Sequence, residues 1–87
     1  MNNFIGDMKI FILRALARMQ GIPMPGAQLR QSLKDVLMPT PLDSEISGAL
    51  GDLERDGFIS GVRDDFDSTK VTWTLTTKGQ HKASQLQ

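Results

Sequence analysis

Cysteine is absent from this 87-residue chain, which excludes disulfides and thiolate metal sites. Histidine occurs once, as His81 beside Lys82, and a lone histidine without partners reads as a surface residue. No run of about 18 apolar residues exists, so no segment is expected to span a membrane. Asp7, Lys9 and Arg14 interrupt the amino-terminal apolar stretch, which therefore lacks a signal-peptide layout. There is no internal repeat and no low-complexity linker. No phosphate-binding glycine loop, catalytic triad or carboxylate pair with a convergent base can be found, so neither an enzyme nor a cofactor or metal site is expected. What these absences leave is a soluble, cytoplasmic protein with one small domain over residues 1–87. With 39% hydrophobic residues it can build a core, though one small enough that dimerisation would help.

Net charge is also lacking, but only in the sum. Residues 1–34 carry five basic residues against Asp7 alone, a net +4. Residues 35–67 carry nine acids against Arg55 and Arg63, a net −7. Residues 68–87 carry Lys70, Lys78 and Lys82 and no acid, a net +3. An acidic block in the middle of so small a chain biases what it can bind.

Periodicity predicts a first helix from Asn3 to Met19, capped by Asn2 or Asn3. Phe4, Ile5, Met8, Phe11, Ile12, Ala15, Leu16 and Met19 form its wide apolar face, and Asp7, Arg14 and Arg18 a polar stripe opposite. Ile10, Leu13 and Ala17 make a second apolar patch beyond that stripe. Such a patch meets either another element of the same chain or a second subunit. Residues Gly21 to Gly26, with two prolines and two glycines, read as a turn. A second helix follows from Ala27 to Leu37, with Leu29, Leu33, Val36 and Leu37 inward, ended by Met38-Pro39.

The third helix opens with Thr40 as cap, Pro41 at the first helical position and Asp43 at the third. Ile46, Ala49, Leu50 and Leu53 form its inward stripe, and Gly57 is placed to stop it in the left-handed conformation. Phe58-Ile59 opens a strand. After an acidic turn, Val71, Trp73 and Leu75 alternate with threonines as a period-two strand. A short last helix spans Gln80 to Leu86. Helix, helix, helix, strand, turn, strand, helix is the order of a helix-turn-helix with a β-wing, an α+β fold.

Three stretches carry a resemblance. Ile46 to Ile59 (ISGALGDLERDGFI) resembles the recognition helix and first wing strand of winged-helix regulators. Trp73 to Gly79 (WTLTTKG) resembles their second wing strand and the LTxxG entry to the last helix. Ile10 to Ala17, with Pro25 to Leu29, is most similar to PadR-like regulators, MarR-like proteins being close behind. The resemblance covers nearly the whole chain. It implies a DNA-binding transcriptional regulator, usually dimeric, with the third helix in the major groove and the wing on the backbone. PadR-like proteins dimerise through a long carboxy-terminal helix, whereas this chain stops at Gln87. The patch of Ile10, Leu13 and Ala17, with Leu86, is the expected substitute for a homodimer.

Opposite its apolar stripe the third helix presents Ser44, Gly48, Gly51 and Arg55, flanked by Ser47 and Asp52. Two glycines inside a helix cost about 1 kcal/mol each relative to alanine. Either they let a groove approach, with Ser44, Ser47 and Arg55 supplying polar contacts, or they allow tight packing within the chain. Arg63 and Lys70 at the base of the wing are the expected phosphate contacts on double-stranded DNA. Against this stand eight acids on the same side: Asp43, Glu45, Asp52, Glu54, Asp56, Asp64, Asp65 and Asp67. The alternative is a protein-interaction module whose acidic helix–wing surface, with Phe66 as anchor, docks a basic protein. Phe66 either projects or folds back onto the sheet. Asp64 to Thr69 lacks the central glycine and distal glutamate of a calcium loop and reads as a turn.

Overall fold

The computed structural model describes residues 4–67 and 69–86; the capping asparagines expected at positions 2 and 3 lie outside them. Helix α1 spans Phe4–Arg18 and buries Met8, Ile12, Leu13 and Leu16. Strand β1 follows at Met24–Pro25, then helix α2 at Gly26–Val36 and helix α3 at Asp43–Arg55. Strands β2 (Ile59–Arg63) and β3 (Val71–Leu75) form the wing hairpin, and helix α4 spans Thr77–Gln85.

The expected turn before α2 hides a strand. Met24 pairs with Trp73 and Pro25 with Thr72, antiparallel, giving the sheet order β1-β3-β2. Pro25 has no N–H to donate, a defect that an edge strand tolerates. In the hairpin Ile59 faces Leu75, Gly61 faces Trp73 and Arg63 faces Val71. Side chains alternate across a strand, so Arg63 shares the side of Ile59 and Trp73, which packs on the helices. Met8, Ile12, Leu29, Leu33, Ile46 and Ile59 are the fully buried centre, each worth about 1.5–3 kcal/mol of transfer energy.

Three helix ends differ from expectation. The last residue of α2, Val36, is 58% exposed; Leu37 leaves the helix in extended conformation and packs against the core instead. Helix α3 begins at Asp43, because Pro41 is drawn into the core as a buried plug. Its start is secured by the Leu42 N–H donating to Glu45 Oε1 at 2.8 Å, one half of a capping box. Helix α4 begins three residues early, since Thr76 leaves the strand to cap it, its Oγ1 accepting from Gly79 N–H at 3.0 Å.

The end of α3 is as expected. Gly57 takes a φ of +85°, its N–H donates to Glu54 O and Phe58 N–H donates to Leu53 O, the two bonds of a Schellman stop. From there the chain enters a tight joint. Thr76 Oγ1 lies 2.6 Å from Gly57 O and 3.0 Å from Phe58 O. A Cβ on Gly79 would fall 1.9 Å from Phe58 O, so only glycine lets α4 sit this close to the wing. Lys78 Nζ donates to Asp56 O at 2.6 Å and stands 4.6 Å from the Phe58 ring centre. The LTxxG stretch is thus a structural clasp between α3, the wing and α4.

Candidate nucleic-acid interface

Helix α3 buries Ile46, Ala49, Leu50 and Leu53 and so presents its other face to solvent. At about 100° per residue, Ser44, Gly48, Gly51 and Arg55 lie within about 30° of the line opposite that core stripe. All four are exposed, and the Arg55 side chain is 73% exposed. A Cβ built on Gly48 or Gly51 meets nothing within 4 Å. Packing within the chain therefore gives no reason for either glycine. Of the two readings open from sequence, tight internal packing is excluded.

No acid of α3 sits on the middle of this strip; the carboxylates lie along its flanks and are engaged. On the α2 side, Asp43 pairs with Lys34 at 2.8 Å and Arg30 at 3.8 Å. The Lys34 hydrogen bond and charge, then Arg30, hold the Asp43 carboxyl below its ordinary range. On the α1 side, Asp52 pairs with Lys9 at 3.1 Å and Arg55 at 2.5 Å. Lys9 first and Arg55 second lower the Asp52 carboxyl in the same way. Glu45 turns back to cap its own helix. Glu54 accepts from the Gly61 N–H at 3.3 Å and links α3 to the wing. Asp56 and Asp65 remain exposed.

Ser47, expected at the groove, accepts from Arg30 Nη2 at 2.9 Å. It thereby belongs to the joint between α2 and α3 as much as to the open strip. That Arg30 on α2 reaches the start of α3 is a placement the sequence does not show. Arg30 and Lys70 also line a cleft of about 710 Å³ between the start of α2 and the wing, floored by Val71 and Trp73. Arg63 and Lys70 are exposed at the two sides of the hairpin.

The aspartates of the wing tip shape the turn. Asp64 Oδ1 accepts from the N–H groups of Phe66 and Asp67 at 2.8 and 3.1 Å. Asp67 Oδ1 accepts from the Thr69 N–H at 3.0 Å and hydroxyl at 2.5 Å, bonds that lower its carboxyl pKa. Phe66 is fully exposed, so the fold-back alternative does not hold.

The second apolar patch of α1 is divided. Leu13 is 3% exposed and α4 packs along α1, so this residue is covered within its own chain rather than offered to a second subunit. Ile10, Ala17 and Leu86 are half-buried, and Leu86 O accepts from Arg14 Nη2.

No helix among the described residues is long and apolar enough to cross a membrane. No protein-family model matches the chain, and no curated protein matches it. Solved structures do. A double mutant of Lactococcus lactis ZitR in apo form superposes with a TM-score of 0.71 at 23% identity over 94% of this chain and 55% of that one. A MarR-like transcription regulator from Bacillus cereus gives a TM-score of 0.65 at 18% identity, over 88% of this chain and 50% of the other. TM0937, described as a potential transcriptional factor, gives a TM-score of 0.72 at 21% identity over 99% of this chain and 76% of its own. The chain spans about half the length of the ZitR structures. At these identities the likeness is one of architecture, and that architecture is the α+β winged helix.

Proposed function

We propose that this chain is the DNA-binding part of a transcriptional regulator, with the strip Ser44, Gly48, Gly51 and Arg55 of α3 entering the major groove. The observation that carries this reading is the pair of glycines. They cost the helix about 2 kcal/mol together, and no neighbour within 4 Å uses the space. A surface kept bare at that expense suits the close approach of an external partner, and Arg55 at its end suits guanine or phosphate. Arg63 and Lys70 on the wing, with Arg30 beside the cleft, supply phosphate contacts. The solved winged-helix neighbours include described regulators of transcription, a MarR-like one among them; the PadR-like resemblance is the narrower reading of the residues alone.

The test is binding to a labelled mixed-sequence duplex, followed by fluorescence anisotropy over a salt series. With Arg30, Arg63 and Lys70 on phosphates, log K falls against log salt with a slope of about −3 per protomer. Arg55→Glu abolishes binding; unchanged binding in that variant refutes the face. A second reading draws on the full exposure of Phe66 among Asp64, Asp65 and Asp67: the wing docks a basic protein. It gains if the duplex is not bound even at low salt and Phe66→Ala removes a protein partner.

A further inference from the structure

Arg55 does not hang free at the end of the exposed strip. Its Nη2 donates to Asp52 Oδ1 at 2.5 Å, so the side chain folds back along α3 toward the preceding turn. That brings the guanidinium to the level of Gly51 and Asp52, where the absent side chain of Gly51 leaves the strip open. Asp52 is itself gripped from a second helix. Lys9 Nζ of α1 holds its other carboxylate oxygen, Oδ2, at 3.1 Å. The Asp52 side chain is 36% exposed, against 73% for Arg55. An exposed ion pair stabilises a fold very little, so the fold itself gains little from fixing Arg55.

Fixing an arginine matters where bases are read. A guanidinium has five N–H donors, and the one given to Asp52 leaves a fork for the O6 and N7 acceptors of guanine. A loose arginine loses rotamer freedom on contact. Opposite a wrong base it swings to the nearest phosphate, which every sequence offers alike. An arginine held by a carboxylate does neither. The right base meets a donor already in place, and the wrong base leaves that donor without a partner on the DNA. Specificity is the difference between these two cases. The same carboxylate repels phosphate and so weakens binding to all sequences equally.

We propose that Asp52, held by Lys9, is the positioning residue that makes Arg55 a reader of guanine. This rests on the reading of the α3 strip as the groove-facing surface. It adds that one G·C pair is selected through a residue that itself touches no base.

Selection from a duplex pool with a randomised core tests the proposal, using the full chain as wild type, Asp52→Ala, Arg55→Ala and the double variant. Wild type enriches sites with guanine preferred at one position by about 5- to 150-fold, the range of a bidentate arginine contact. Arg55→Ala loses that preference. Asp52→Ala keeps its helical circular dichroism, since alanine suits a helix interior. It lowers that one preference by about 2- to 12-fold and leaves the other positions unchanged. It binds a mixed-sequence duplex at least as tightly as wild type. In the Arg55→Ala background the same substitution changes no base preference. An undiminished guanine preference in Asp52→Ala overturns the proposal. So does a loss spread over all positions, which is what a purely structural role gives. If wild type selects no site, or Arg55→Ala leaves the selected site unchanged, the reading of the strip fails and the proposal falls with it.

Discussion

Replacing Gly48 and Gly51 by alanine moves stability and DNA affinity in opposite directions. Both residues lie in the interior of α3, where glycine is less favourable than alanine by about 0.8–1.0 kcal/mol. An added methyl meets nothing within 4 Å at either site, so no steric term subtracts from that gain. Neither residue has the positive φ that would strain alanine. The double variant is therefore more stable by about 2 kcal/mol. For a domain of this size that is a rise in Tm of about 4–8 °C per kcal/mol, read by calorimetry. On the duplex the same two methyls intrude where the groove is to fit. Overpacking of a close contact costs about 1–3 kcal/mol, which weakens binding about fivefold or more. Anisotropy on the same protein preparation measures that arm. If stability falls, the glycines serve the chain's own packing and the argument from empty space fails. If stability rises while affinity is unchanged, the strip is not the contact face.

The clasp gives a second prediction: Thr76→Val removes one cap and two hydroxyl contacts and destabilises by about 1–2 kcal/mol in urea unfolding. Gly79→Ala costs more, because its methyl would lie 1.9 Å from Phe58 O, and the chain unfolds at markedly lower urea. Phe66→Ala, at a fully exposed site, changes stability by no more than about 0.5 kcal/mol. Acid weakens the fold in a defined window. The carboxyls of Asp43, Asp52 and Asp67 are depressed in the native state, so the unfolded chain binds more protons as pH falls. Their contribution is fully present above the ordinary value of 3.8 and is lost as pH drops through the lowered native values. Thermal scans from pH 6 to pH 3, at about 20 mM salt to limit screening, show a Tm that holds and then falls at the acid end. A Tm that rises there refutes the pairings.

Much of α3 was legible because one helix carries several independent signals. Its stripe of Ile46, Ala49, Leu50 and Leu53 and its Gly57 stop rest on local geometry, and the structure has them where periodicity put them. Strand β1 was hidden for the converse reason. Two residues have no period, and Met24-Pro25 becomes a strand only by pairing with β3, nearly fifty residues away. Thr76 was misread because its place in the Thr72, Thr74, Thr76 alternation looks like more strand, while its hydroxyl is needed at α4. The site followed the same division. Exposure of Ser44, Gly48, Gly51 and Arg55 follows from the helix alone. That Lys9, Arg30 and Lys34 come from two other helices to hold the acids of α3 is a tertiary fact, and a count of charges along the chain cannot contain it.

The joint around Thr76 makes α4 a lever. Its first turn is fastened to Phe58 O through one hydroxyl and one bare glycine, and its Lys78 to the carbonyl of Asp56 at the end of α3. Tilting α4 pulls on the wing and on α3 together, with no slack between them. Whatever grips α4 thus takes hold of α3 and the wing at once.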